Sequence, residues 1–318
     1  MAKTVSLTRR IRASAAAMLA LALSGCVTYP DISQSRSPCR MEPGGWCGFV
    51  RAGAAEAWPY AVAATNAYQG DDDIFADLGP RLERLERAPI DPEHEGKGFS
   101  YEVFALYPPE SEGDAERTPE KLVMAYRGTD VTGLSDVFYG TLRSDQTGFA
   151  LDYFEAELAR RGRPLEDWVV TGHSLGGALA TEVSIRYPQV RAYMFNTSPF
   201  YRGDAMANDA RRTVFNERGE WLRRFARYSR APASDLYTLN CGPQRGAFTK
   251  HRIRLIADCI AWIAAYEDPE AYALVQSNAV PKPPVECGPD DKTHPGAQFR
   301  QLAPCVHRAR PEEAGQDG

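Results

Sequence analysis

The chain of 318 residues predicts an α/β fold, a mostly parallel central sheet with helices on both faces. Three observations carry that expectation. Strand-like and helix-like segments alternate between residues 121 and 195. "KLVMAY" (121–126) is a nearly unbroken apolar run, as a strand buried on both faces requires. "VVTGHSLGGALA" (169–180) passes from strand to helix across a serine set between glycines. With 43% hydrophobic residues and no repeat or linker to divide it, the chain has the material for one large core.

The first 25 residues stand apart. Lys3, Arg9, Arg10 and Arg12 precede an apolar stretch, Ala13 to Leu23, too short to span a bilayer, so 1–25 read as an export signal. It closes on Leu23-Ser24-Gly25-Cys26, which resembles the lipobox of bacterial lipoproteins and implies acylation of Cys26 as the first mature residue. An ordinary signal peptide cut nearby, with Cys26 as a thiol or disulfide partner, is the alternative. Setting Cys26 aside leaves six cysteines, Cys39, Cys47, Cys241, Cys259, Cys287 and Cys305. They suit three disulfides in an oxidising compartment, with Cys39/Cys47 closing locally and the other four tying the C-terminal third. The absence of any Cys-x-x-Cys makes a zinc site a weak alternative. Loss of the signal takes away four positive charges and moves the formal charge from −5 to about −9, so acyl chains, not a basic patch, must supply membrane affinity. The 37 Lys and Arg read as scattered, with no dense run interleaved with aromatics, which argues against a nucleic-acid partner.

Residues 26–52 read as lipidated cysteine and tether, 53–306 as the folded domain and 307–318 as a frayed tail. Within the domain a helix is expected from Ala54 to Gly70, and strands at 101–107, which alternates, and 121–126. The helix "FALDYFEAELARRG" follows, with Leu151, Phe154 and Leu158 on one face. Next come a strand from Trp168 to Thr171, a helix from Leu175 to Tyr187 stopped by Pro188, and a strand from Val190 to Phe195. Strands at 211–215 and 236–239 and a helix from His251 to Tyr266 complete the pattern.

Gly172-His173-Ser174-Leu175-Gly176 fits Gly-x-Ser-x-Gly between a buried strand and a helix, the context in which that motif forms a nucleophile elbow. The turn strains the serine, and its neighbours two positions away must lack side chains. The Leu175 amide then lies at a helix N-terminus, where an N–H favours a developing oxyanion. A glycine-rich turn with an incidental serine is the alternative. His173 is expected to pack under the elbow, since adjacent residues on so tight a turn point apart.

"MAYRGTD" follows the buried strand and places Thr129 at the sheet edge where Ser174 emerges. "YRGT" followed by "GHSLGGALA" resembles the class 3 lipases of the α/β-hydrolase fold, from "YAVAATNAY" to about Tyr266, although only these two motifs are specific. The resemblance implies that Thr129 joins Leu175 in an oxyanion hole; a plain Arg-Gly-Thr-Asp turn is the alternative. It also places a lid at "VTGLSDVFYGTLRSD", where Val131, Leu134, Val137, Phe138 and Leu142 form an apolar face, unless they are core. Asp130 and Asp136 read as local hydrogen-bonding residues.

A serine nucleophile needs a base, and the chain has five histidines. His94 lies ahead of the expected sheet, His173 under the elbow, and His294 and His307 in Pro- and charge-rich sequence. His251 remains, after a strand and a cysteine-bearing loop, where the resembling family also carries its base; His294 is the fallback. In that family the acid is an Asp in a position that "VFNERGEWL" fills with Glu220, a departure that leaves Glu217 and Asp235 as rivals. Asp204 reads as a solvated turn residue. The resemblance thus implies a lipid-anchored serine ester hydrolase with Ser174, His251 and Glu220 as triad, no cofactor, a lipid or small ester as substrate, and the membrane held through acylated Cys26. Val27 lacks the aspartate associated with inner-membrane retention, which points to the outer membrane. Acyl transfer, thioester cleavage and a silent binding module stay open.

Overall fold

The computed structural model describes residues 39, 42–68, 73–109, 117–128, 141–204, 206–225, 231–243 and 245–286, with side chains 141–144 and 224 outside that description. Seven strands form one sheet in chain order: β1 (Leu82–Leu85), β2 (Tyr101–Leu106), β3 (Lys121–Tyr126), β4 (Trp168–His173), β5 (Arg191–Phe195), β6 (Arg212–Glu217) and β7 (Asp235–Leu239). β1, β2 and β3 pair antiparallel; every pair from β3 to β7 is parallel. Besides a one-turn helix at Pro92–Gly96, the helices among the described residues are α1 (Gly48–Asn66), α2 (Thr141–Arg161), α3 (Leu175–Arg186), α4 (Ile253–Ala264) and α5 (Pro269–Ser277).

Side-chain alternation along the strands divides the core in two. Leu122, Met124 and Tyr126 of β3, with Ala192 and Met194 of β5, pack with Ala150 and Phe154 of α2 and Leu179 and Val183 of α3. Val123, Ala125, Tyr193 and Phe195 point the other way, into a cluster with Trp58 and Val62 of α1 and Ile256, Ile260 and Ile263 of α4. Helices therefore cover both faces of a mostly parallel sheet, the α/β arrangement expected from the sequence. The Trp58 indole donates to Asp268 Oδ2 at 2.8 Å, and Asp268 also caps α5, so one carboxylate joins the two helices.

Several boundaries differ from the sequence expectation. α1 starts at Gly48, not Ala54: Gly48 and Gly53 depress helix propensity, but Val50 and Ala54 are fully buried and packing decides. Residues 43–52, expected in the tether, are thus a short turn and the first turns of α1, entered through the Cys39–Cys47 disulfide. β2 does not alternate in burial; it lies between β1 and β3 and is buried throughout. β1 escaped notice because "LERL" carries two charges, which an edge strand turns outward. His94 accordingly follows the first strand. α4 begins at Ile253, with His251 in the 3-10 turn before it. Cys241 pairs with Cys259, fastening the loop after β7 to α4, while Cys26, Cys287 and Cys305 lie outside the described residues, as does the signal segment. Among the described residues no helix is long and apolar enough to cross a membrane.

Candidate active site

The parallel strands all point their C-terminal ends at one edge of the sheet, and β4 turns there directly into α3. β4 ends at His173, α3 begins at Leu175, and Ser174 between them has φ 56° and ψ −121°, a left-handed conformation that costs a serine roughly 1–3 kcal/mol. The glycine requirement is steric. A Cβ on Gly172 would lie 2.4 Å from the Gly176 carbonyl, and one on Gly176 would lie 2.1 Å from the Tyr126 oxygen. The end of β3 thus rests on the first turn of α3. The strained residue is pinned by its own backbone: Ser174 N–H donates to Phe195 O at 3.2 Å, and Ser174 O accepts from Ser198 N–H at 2.9 Å.

Ser174 Oγ meets His251 Nε2 at 2.9 Å, and His251 Nδ1 meets Glu220 Oε2 at 2.9 Å. The three residues come from the elbow, the 3-10 turn before α4 and the turn after β6, and each is nearly fully buried. Glu220 Oε2 also accepts the Leu222 N–H at 2.9 Å, which fixes the carboxylate before it orients the imidazole. The Trp221 ring stands edge-on to His251 at 5.7 Å between centroids and 5.8 Å from Phe248, an apolar wall on the site. Burial pushes His251 down to about 4 and Glu220 up to about 7. A neutral imidazole with its bare Nε2 facing a hydroxyl can take that proton, and its Nδ1–H is held toward an acceptor.

Two sequence-level rivals for the acid are engaged elsewhere. Glu217 is fully buried, but its oxygens accept the Cys241 and Gly242 N–H groups at 2.9 and 3.0 Å, stapling the end of β6 to the loop after β7. Asp235 is exposed at the start of β7, registered with Thr213 near the start of β6, and so lies at the opposite edge of the sheet. Asp204 accepts the Met206 N–H in a turn. His94 stacks on Phe149 with centroids 3.7 Å apart and meets Tyr153 Oη at 3.2 Å, a packing role. Thr129, Asp130, Asp136, residues 131–140 of the expected lid, His294 and His307 lie outside the described residues. The Leu175 N–H has no hydrogen-bond partner among the described residues. Gly128, just before Thr129, lies against the elbow: a Cβ there would stand 2.5 Å from His173 O and 3.2 Å from Ser174 Cβ.

No family model matches the chain, and no curated protein matches it. Among solved structures it is similar to an extracellular lipase from Serratia marcescens, at 14% identity and TM-score 0.39, covering 58% of this chain and 44% of that one. Lipase II from Rhizopus niveus matches at 15% identity and TM-score 0.35, covering 52% and 72%. A mutant form of a protein from Penicillium cyclopium matches at 15% identity and TM-score 0.37, covering 64% and 85%. The chain thus spans less than half the length of the Serratia lipase.

Two parts of the site go beyond the sequence reading. Asn196, fully buried with φ 42°, accepts the Glu217 N–H at 2.7 Å and donates to Lys250 O at 3.1 Å, tying the end of β6 to the turn that carries His251. Its one sequence signal is an asparagine directly after a strand, a position that tolerates the left-handed region. His173 was expected only to pack, yet both its ring nitrogens are hydrogen-bonded: Nδ1 to Tyr68 Oη at 2.9 Å and Nε2 to His251 O at 2.6 Å. Tyr68 is 105 positions upstream, and no local pattern announces the pairing.

Proposed function

We propose that this protein is a serine carboxylic-ester hydrolase of the lipase/esterase kind, tethered to a bacterial membrane by a lipid on Cys26. The single observation that carries the enzymatic reading is the buried line from Ser174 Oγ through His251 to Glu220, both contacts 2.9 Å long. Ser174 attacks the ester carbonyl while His251 Nε2 takes its proton. His251 then returns the proton to the leaving alcohol, and Glu220 steadies the imidazolium between the two transfers. The Leu175 N–H and the Thr129 amide hold the tetrahedral oxygen. Water, activated by the same imidazole, cleaves the acyl-enzyme and frees the carboxylic acid. Written this way the reaction calls on no metal or organic cofactor.

The apolar wall of Trp221 and Phe248 beside the imidazole supports an acyl group as the part of the substrate bound there. The anchor and the outer-membrane location rest on the sequence alone, on Leu23-Ser24-Gly25-Cys26 and on Val27. The test is release of p-nitrophenol from a series of p-nitrophenyl acyl esters by the full chain in detergent. Ser174→Ala and His251→Ala should each lose about 10³-fold or more in kcat. Folded protein that hydrolyses none of the series, or a Ser174→Ala variant that keeps its rate, would overturn the enzymatic reading. Cys26→Ser should release the chain from the membrane fraction, and a variant that stays bound would overturn the anchor.

A further inference from the structure

We propose that Tyr68 and His173 are positioning residues that set the oxyanion side, the nucleophile and the base in register. The inference rests on the reading of Ser174 as nucleophile and extends it to two residues that touch no reacting atom. The hydrogen-bond directions are forced. His251 O is a carbonyl and only accepts, so His173 Nε2 carries the proton that reaches it at 2.6 Å. The imidazole is neutral, because burial holds His173 well below its ordinary value. Its Nδ1 is therefore bare, and the Tyr68 hydroxyl donates to it at 2.9 Å. The Tyr68 oxygen in turn accepts the Gly128 N–H at 3.1 Å.

One directional relay thus runs from Gly128 N–H through Tyr68 and His173 to the carbonyl of His251. Each end lies at or next to a residue of the proposed machinery. Gly128 precedes Thr129, His173 precedes Ser174, and the final acceptor is the backbone of the base itself. The relay also fixes a tautomer. Without the Tyr68 proton, His173 is free to carry its hydrogen on Nδ1, which would turn a bare Nε2 against the His251 carbonyl and push the base's turn away. The same wiring keeps the two rings, 4.7 Å apart between centroids, from both being charged when His251 becomes an imidazolium. A packing role would need only the rings; this role needs the hydroxyl and the Nε2 proton.

Tyr68→Phe keeps the ring and deletes the hydroxyl, and His173→Gln keeps a donor near the place of Nε2 without offering Tyr68 an acceptor. Full-length wild type, both single variants and the double variant are compared in kcat and KM on a short p-nitrophenyl ester and in the rate of fluorophosphonate labelling at Ser174. Tyr68→Phe should lower kcat and the labelling rate by roughly 10- to 100-fold, the loss expected for reacting groups misplaced by up to about 1 Å, with KM within about twofold. In the His173→Gln background the same change should cost less than about threefold, since the bond is already gone. His173→Asn, whose amide falls short of the His251 carbonyl, should be about tenfold slower than His173→Gln. Tyr68→Phe with a wild-type kcat and labelling rate, a loss seen only in KM, or independent losses that multiply in the double variant would overturn the proposal. Wild type that does not label at Ser174 would instead overturn the hydrolase reading on which it rests.

Discussion

Replacing Glu220 with Gln separates charge from geometry at the acid. Glu220 Oε2 accepts from both His251 Nδ1 and the Leu222 N–H, so a Gln with its amide oxygen in that place keeps both bonds and the tautomer of His251. What disappears is the negative charge opposite the imidazolium. For charge centres roughly 4 Å apart at an effective dielectric of about 20 the attraction is about 4 kcal/mol, or about 10³-fold in rate. Because burial pushes Glu220 up to about 7, the wild-type carboxylate is mostly ionised at pH 8 and mostly protonated at pH 5. The pair titrates as a unit, and activity that needs the carboxylate is lost as pH falls through that value. His251, pushed down to about 4, stays neutral across this range. In kcat/KM for p-nitrophenyl ester hydrolysis, Glu220→Gln should therefore trail wild type by about 10³-fold at pH 8 and by a much smaller factor at pH 5. Glu217→Gln, which disturbs the staple to Cys241 and Gly242, should lose roughly 1–3 kcal/mol of stability and keep kcat within a few-fold. A gap for Glu220→Gln that does not change with pH, or a larger loss of kcat for Glu217→Gln, would refute the assignment of the acid.

Gly176→Ala would set a methyl 2.1 Å from the Tyr126 oxygen, and relief requires β3 and the elbow to part by about 1 Å; the folded fraction should label at Ser174 about 10²-fold more slowly, and an unchanged labelling rate would contradict the packing of the elbow. Glu286 is buried beside Tyr266 and Trp262, and burial holds its carboxyl well above the ordinary value. The folded state then keeps a proton that the unfolded chain releases, so this group's stability is present below the unfolded value and lost as pH rises. Glu286→Gln should show a smaller drop in urea midpoint between pH 5 and pH 8 than wild type, and parallel drops would refute the protonated carboxyl. Replacing both Cys241 and Cys259 with Ser frees an 18-residue separation that brackets His251, which should cost about 3 kcal/mol in chain entropy; a denaturation midpoint unchanged from wild type would show that the bridge does not brace this loop.

The elbow was legible because its demands are local: a strand, a helix, and glycines where backbones pass. Much of the sheet was legible for the same reason, since β3, β4 and β5 are short, largely apolar runs. The candidate acid was legible only through the family resemblance, which put Glu220 ahead of Glu217 and Asp235; as residue types the three are equivalent, and what separates them is which backbone amides and which imidazole each one meets. β1 and α5 were missed for opposite reasons: "LERL" looks polar because it is an edge, whereas Asp268-Pro269-Glu270 carried a capping signal that went unused. The scatter of basic residues has one exception, the stretch from Arg218 to Arg230, where five arginines stand among Trp221, Phe225 and Tyr228. The role of His173 was illegible in principle, because it is set by a tyrosine 105 positions away and by the carbonyl of the base.

The central claim is that Ser174 is an activated nucleophile, and covalent capture tests it most directly. The full chain in detergent is incubated with a fluorophosphonate, digested and mapped by mass spectrometry, beside Ser174→Ala and His251→Ala. One adduct on Ser174, absent from Ser174→Ala and slowed by about 10³-fold in His251→Ala, is the predicted result. Folded wild type that carries no adduct, or an adduct on another residue that persists in Ser174→Ala, would contradict the account.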